Sequence, residues 1–217
     1  MAEMIRGLPE PLPVGEHVLW EGAPVPRAFL LHAFHLRKLA IYFGVILLLR
    51  GTFAIGDGGT LTQAIVAMLW LLPVAAAALG LVTVLGLLTA RSTIYAITDR
   101  RVVMRIGVVL QITFNIPYRI VEGAELRAYS DGSGDLPLQL RGDDHLAWLH
   151  LWPHVRPWRL ANPEPMLRCV PDALHVAQTL ATALAEHAGV AAVRPAAPVA
   201  QERGHGTPVQ PFATAGR

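Results

Sequence analysis

TQAIVAMLWLLPVAAAALGLVTVLGLLTA, residues 62–90, runs for 29 positions without a charged side chain. As a helix at about 1.5 Å per residue it is longer than a hydrocarbon core of roughly 30 Å. It predicts a transmembrane helix with length to spare, taken up by tilt, by a bend at Pro73, or by turns that project into water. The composition agrees, because 53% hydrophobic and 16% charged residues over 217 positions are too apolar for an ordinary soluble domain.

Upstream, residues 39–55, LAIYFGVILLLRGTFAI, give a second span interrupted by Arg50. Two readings of Arg50 stand side by side. In one it snorkels from a helix that begins before Leu39; in the other it is a buried cation paired with an acidic or carbonyl group on a partner helix. The loop 51–61 between the spans holds one charge, Asp57, whereas Arg37 and Lys38 precede the first span and Arg91, Arg100, Arg101 and Arg105 follow the second. The positive-inside rule then predicts a hairpin with both termini in the cytoplasm. The same six basic residues are candidates to face anionic lipid headgroups. No cleavable signal peptide is expected, since the first 25 residues lack a continuous apolar core. Residues 28–36, AFLLHAFHL, carry apolar side chains at helical spacing and predict an interfacial helix leading into the first span.

After residue 90 the pattern shifts to strands. STIYAIT (92–98), RVVMRIGVV (101–109) and LQITFNIPYRIV (110–121) are β-branched and alternating, with a tight connection at Asp99 and Arg100 and an edge or break at Pro117. GEHVLWEG (15–22) predicts a short strand with Val18 and Trp20 on one face. YSDGSGD (129–135) is a turn, and 136–152 predicts two more strands around a turn at 141–144, in which Asp143 and Asp144 serve as turn formers rather than metal or acid-base groups. Residues 171–189 predict a closing amphipathic helix with Ala173, Ala177, Leu180 and Leu184 on one stripe, capped by Asp172 and ended by Gly189. The domain organisation expected is therefore an N-terminal segment (1–26), a hairpin (27–90), a cytoplasmic β domain (91–189) and a disordered tail (190–217).

Chemistry has few candidates. Cys169 is the only cysteine, so disulfides within the chain and cysteine zinc clusters are excluded. His145 and His150 would point to opposite faces of a strand, and Pro153 interrupts His150 and His154, so no metal site is expected. There is no G-x-S-x-G elbow and no glycine-rich phosphate loop, and enzyme activity is not expected. Residues 91–188 hold ten basic and ten acidic side chains, without the basic stripe that nucleic acid requires. What remains is surface. Trp148 and Trp152 share a predicted strand face, as core or interface, and Arg156, Trp158 and Arg159 follow in a Pro-bounded stretch; Trp and Arg are enriched at interface hot spots. Ala76, Gly80 and Gly86 would let the 62–90 helix pack closely on other helices, including those of a second copy. His32 and His35 are conceivable ligands for a pigment magnesium, which would make bacteriochlorophyll contact possible; no cofactor is otherwise expected.

A hairpin anchor followed by STIYAITDRRVVMRIG (92–107) and NIPYRIVEGAEL (115–126) resembles the bacterial pleckstrin-homology-like membrane proteins. GLPEPLPVGEHVLWEGAP (7–24), FHLRKLAIYF (34–43) and the long run from Asp135 to Ala173 are in turn similar to the PuhB family of photosynthetic-complex assembly proteins. The resemblance covers residues 7–188. It implies an α+β membrane protein, a two-helix hairpin plus a pleckstrin-homology-like antiparallel β-barrel closed by a C-terminal helix. It also implies a non-enzymatic role in assembling the photosynthetic reaction centre and core light-harvesting complex, with their subunits and membrane lipids as partners. An anionic-lipid-binding module and a bacteriochlorophyll-delivery protein are the alternatives.

Overall fold

Thr60 starts the longer apolar helix with a reciprocal cap: its hydroxyl accepts from the Gln63 N–H at 3.3 Å, and the Gln63 side chain accepts from the Thr60 N–H at 2.8 Å. In the computed structural model, which describes residues 12–141, 151–157 and 163–189, this helix, α3, runs Leu61–Ser92 and passes through Pro73 without ending. The preceding helix, α2, spans Leu36–Gly56. Both are long and apolar enough to cross a membrane, and few of their residues are buried by the rest of the chain. Small buried side chains lie on both. Gly51 is buried against Met68, and Ala64, Ala75 and Gly86 recur on α3 at a spacing that keeps them on one face.

α3 has 32 residues and α2 has 21. At about 1.5 Å per residue α3 extends roughly 16 Å past the start of α2, about three turns. Those turns are sheathed by the N-terminal segment, a short helix α1 (Pro26–Ala28) continued by a π-type turn over Phe29–Ala33. Leu30 and Phe34 lie on Gly86, and Phe29 packs with Ala28, Ala90 and Cys169. His35, in the left-handed region at φ 53°, turns the chain from this segment into α2.

Beyond α3 come two antiparallel sheets. In the first, β1 (Val18–Gly22), β2 (Ile94–Thr98), β3 (Arg101–Ile106) and β4 (Ile112–Pro117) lie in that order. A bulge between Val18 and Trp20 changes the expected facing of β1. Val18 packs with Leu12, Ala96 and Val103 on one side, while Trp20 joins the main core on the other. Pro117 closes β4, and a 3-10 turn over Tyr118–Ile120 redirects the chain into the second sheet. There β7 (Gly134–Leu140) is central, with β5 (Val121–Ala124) and β6 (Arg127–Ala128) along one edge and β8 (Met166–Val170) along the other. Among the described residues the two sheets are not closed into a barrel. They face each other across a core of Tyr95, Ile97, Met104, Leu136, Leu138 and Leu167.

The closing helix is Ala173–His187, here α4, and it buries Ala173, Val176, Leu180 and Ala183. The buried stripe is thus turned slightly from the predicted one, and Ala177 and Leu184 lie at its edge. Asp172 precedes the helix at φ 44° but its side chain makes no capping bond. β8 was not foreseen; of the second strand expected in 136–152, after the turn at 141–144, residues 145–150 lie outside the described residues, as does the tail from 190, and Leu151 is helical and Trp152 lies in a turn rather than a strand. Residues 151–157 include a turn and a bridge from Val155 to Pro165.

Candidate functional site

The Pro-bounded segment Leu151–Pro157 sits where the hairpin meets the sheets. Leu151 enters the core, Trp152 points out and is 54% exposed, and His154 is fully buried. The turn is pinned by its own backbone: His154 N–H donates to the Leu151 carbonyl at 2.6 Å, and Met166 N–H donates to the His154 carbonyl at 2.9 Å.

The His154 ring has both nitrogens engaged, and the surrounding bonds fix their roles. The Thr93 hydroxyl donates to the Thr89 carbonyl at 2.7 Å, so its oxygen accepts from His154 Nε2–H at 3.2 Å. Nδ1 is then the acceptor for the Tyr95 hydroxyl at 2.5 Å, and the Tyr95 oxygen accepts in turn from the Arg168 backbone N–H at 3.2 Å. This assigns the Nε2–H tautomer. Burial, followed by the charge of Arg168, lowers the His154 pKa to about 3 and keeps the ring neutral. Burial also pushes the Tyr95 phenol well above its ordinary value. A satisfied polar chain therefore joins the last turn of α3 to β2 and β8. An aromatic chain runs beside it: Phe29 stacks on His154 with centroids 5.4 Å apart, Phe29 meets Phe34 at 5.6 Å, and Phe34 meets Trp152 edge-on at 5.9 Å.

Next to it lies a second polar knot. Asp135, buried on β7, accepts from the Cys169 N–H at 2.9 Å and from the Tyr129 hydroxyl at 2.6 Å. Arg168 Nε lies 3.9 Å from its carboxylate, and Arg168 Nη1 donates to the Pro153 carbonyl at 3.0 Å. Burial, with the Asp135 charge second, raises the Cys169 thiol, which therefore stays protonated and unreactive. Tyr129 is raised by the same two causes. Its ring is stacked by His32 at 3.7 Å and 6°, with Arg127 5.7 Å away.

A cleft of about 170 Å³ opens over this knot, lined by Glu125, Arg127, Asp135, Arg156, Met166 and Arg168 among others. Arg156 bridges Glu125 at 3.0 Å and Glu164 at 2.9 Å. Hydrogen bonds to Glu164, the largest effect, and to Glu125 raise its pKa. The arrangement suits recognition of polar, mixed-charge groups.

Trp152 lies edge-on to Phe34 and Arg156 lines the cleft; Trp148, Trp158 and Arg159 lie outside the described residues. On α3, Ala76 and Gly80 are exposed, whereas Gly86 is covered by Leu30 and Phe34. Arg50 is exposed on α2, Arg37 and Lys38 are exposed in its first turn, and Arg91 is exposed in the last turn of α3. Arg105 reaches across to the Gln111 side chain. Arg100 donates to the Gly15 carbonyl at 3.1 Å. Arg101 makes a two-pronged pair with buried Glu16, at 2.8 and 2.9 Å, and Glu16 also accepts from the Thr98 hydroxyl at 2.8 Å. Glu16, Asp135 and Arg168 carried no sequence signal as partners, because each finds its counterpart across dozens of residues or a sheet edge.

The chain, an apolar helix hairpin continuing into antiparallel sheets with a C-terminal helix, matches the Bacterial PH domain family over residues 35–184 and belongs to that family. It is also 37% identical over 182 residues, 82% of this chain and 83% of the relative, to a protein of Rhodobacter capsulatus described as an uncharacterized 23.7 kDa protein in the puhA 5′ region. No solved structure matches the chain.

Proposed function

We propose that the protein is a non-enzymatic, membrane-anchored assembly factor of the PuhB type. It would bind subunits of the photosynthetic reaction centre and core antenna through α3 and through the sheet module. The observation that carries this reading is the relative's place beside puhA, a photosynthesis locus, combined with similarity along most of both chains. The uncovered apolar faces of α2 and α3 support a site in the inner membrane, and the basic residues flanking the hairpin support cytoplasmic termini. Ala76 and Gly80, exposed one turn apart, offer close approach to a subunit helix. Trp152 and the cleft at Arg156 offer aromatic and polar surface in the module that follows α3. A non-catalytic role is supported by the buried chemistry: His154 has no free nitrogen, and Cys169 is held as a thiol.

The test is to replace the gene in a phototrophic host with a version that keeps the hairpin and lacks residues 91–189. Core-complex absorbance is expected to fall sharply at unchanged membrane content, whereas normal amounts would refute the reading. A lipid-surface module is the second reading, favoured by exposed Arg37, Lys38 and Arg91 near the membrane. Salt-sensitive binding of the protein to anionic vesicles, with core-complex levels unaffected by its loss, would select it.

A further inference from the structure

Between β3 and β4 the chain turns through Gly107–Gln111, and three of the five residues are Val108, Val109 and Leu110. Val109 is 90% exposed and Leu110 80%. Hairpin turns that face water are built from Gly, Asn, Asp and Ser; this one has no polar side chain until Gln111. Its shape is fixed. Gly107 lies at φ +113°, and a Cβ there would stand 2.0 Å from the Leu110 carbonyl oxygen, so the turn closes tightly and presents both side chains outward.

The register says which way they point. Ile94 follows the end of α3 by two residues and pairs with Arg105, and Ile106 pairs with Ile112. The tip therefore projects from the sheet end that joins α3. Arg100 and the Asp99 turn occupy the opposite end, about 13 Å away along β2. The sheet is polarised accordingly: charged residues and His17 gather at the far turn, whereas an apolar tip, collared by the Arg105–Gln111 bond, stands on the side of Arg91 and the membrane helix.

We propose that residues 107–111 insert into the headgroup boundary of the bilayer and dock the sheet module against the membrane that holds the hairpin. The tip stands at the sheet end that adjoins the last turns of α3, where Val84, Leu85 and Leu88 are exposed. Its few side chains fall far short of the roughly 800 Å² per side of a stable protein interface, while an amphipathic boundary accepts a small apolar tip over a cationic collar. The inference rests on the membrane reading of α2 and α3, and its test separates the two.

The full chain is reconstituted in vesicles of equal parts phosphatidylethanolamine and phosphatidylglycerol, with a polarity-sensitive fluorophore on a cysteine introduced as V109C, L110C, V74C or R119C. Buried Cys169 is left unlabelled. Labels at 109 and 110 are expected to emit to the blue of the label at 119, to be quenched by nitroxide lipid and to lose quenching by aqueous iodide. Labels at 109 and 110 that behave like 119, with 74 quenched by lipid, overturn the proposal alone. Protection from iodide without quenching by lipid also overturns it, since a protein contact then covers the tip. A label at 74 that behaves like 119 overturns the proposal and the membrane reading together.

Discussion

Replacing His154 with Gln removes an imidazole that is neutral in the folded protein and titrates at 6.5 once the chain unfolds. The folded value of about 3 lies below the unfolded one, so the stability is complete above pH 6.5 and drains away as pH falls toward 3. The slope is about 1.4 kcal/mol per pH unit, which gives a loss of about 2 kcal/mol at roughly pH 5. At neutral pH the variant loses the ring packing on Phe29 and imperfectly replaces two buried hydrogen bonds, costing about 1–3 kcal/mol. Wild type is therefore the more stable near pH 8, and the two curves draw together or cross near pH 5. The assay is denaturant unfolding of both full-length proteins in one detergent across that range, with the other histidines common to both. Parallel stability curves would refute a buried neutral His154 and, with it, the polar chain joining α3 to the sheets.

Four further outcomes follow from particular contacts. Glu16→Ala strands the Arg101 guanidinium and should cost about 2–4 kcal/mol in the same unfolding assay, with Glu16→Gln intermediate; a loss under about 0.5 kcal/mol would show the pair to be idle. Gly107→Val meets both a left-handed φ and the Leu110 carbonyl, so amide exchange should quicken along β3 and β4 while β7 and β8 stay protected. Gly86→Leu drives a side chain into Leu30 and Phe34 and, at an overpacking cost of about 1–3 kcal/mol, should raise exchange in residues 29–34. Arg156→Ala releases Glu125 and Glu164 at the cleft and should weaken capture of photosynthetic subunits more than it lowers stability.

The sequence exposed the large divisions because they rest on local chemistry. An uncharged run of 29 residues and alternating β-branched strands need no distant partner to be read, and α2, α3 and β2 fall close to their predicted limits, whereas the strands expected over 101–109 and 110–121 give way to a turn at 107–111. Facing was harder. One bulge put Val18 and Trp20 on opposite sides of β1, and no local signal marks a bulge there. β8 went unseen because its five residues are buried throughout and so show no alternation. His154, weighed as a metal ligand, is a hydrogen-bonded core residue, and its partners Thr93 and Tyr95 lie about sixty residues away in sequence. Of the interface candidates, Trp152 lies against Phe34 and Arg156 at the cleft; Gly86 turned out to serve the chain's own N-terminal segment.

In the proposed role this protein holds photosynthetic subunits during their assembly. Affinity capture of the tagged full-length chain from gently solubilised membranes of a phototrophic host, with absorption spectra and subunit identification on the eluate, tests it most directly. Reaction-centre and core-antenna polypeptides should be enriched over an unrelated two-span membrane protein. Recovery of those polypeptides at the level of that control, with the captured chain intact, would contradict it.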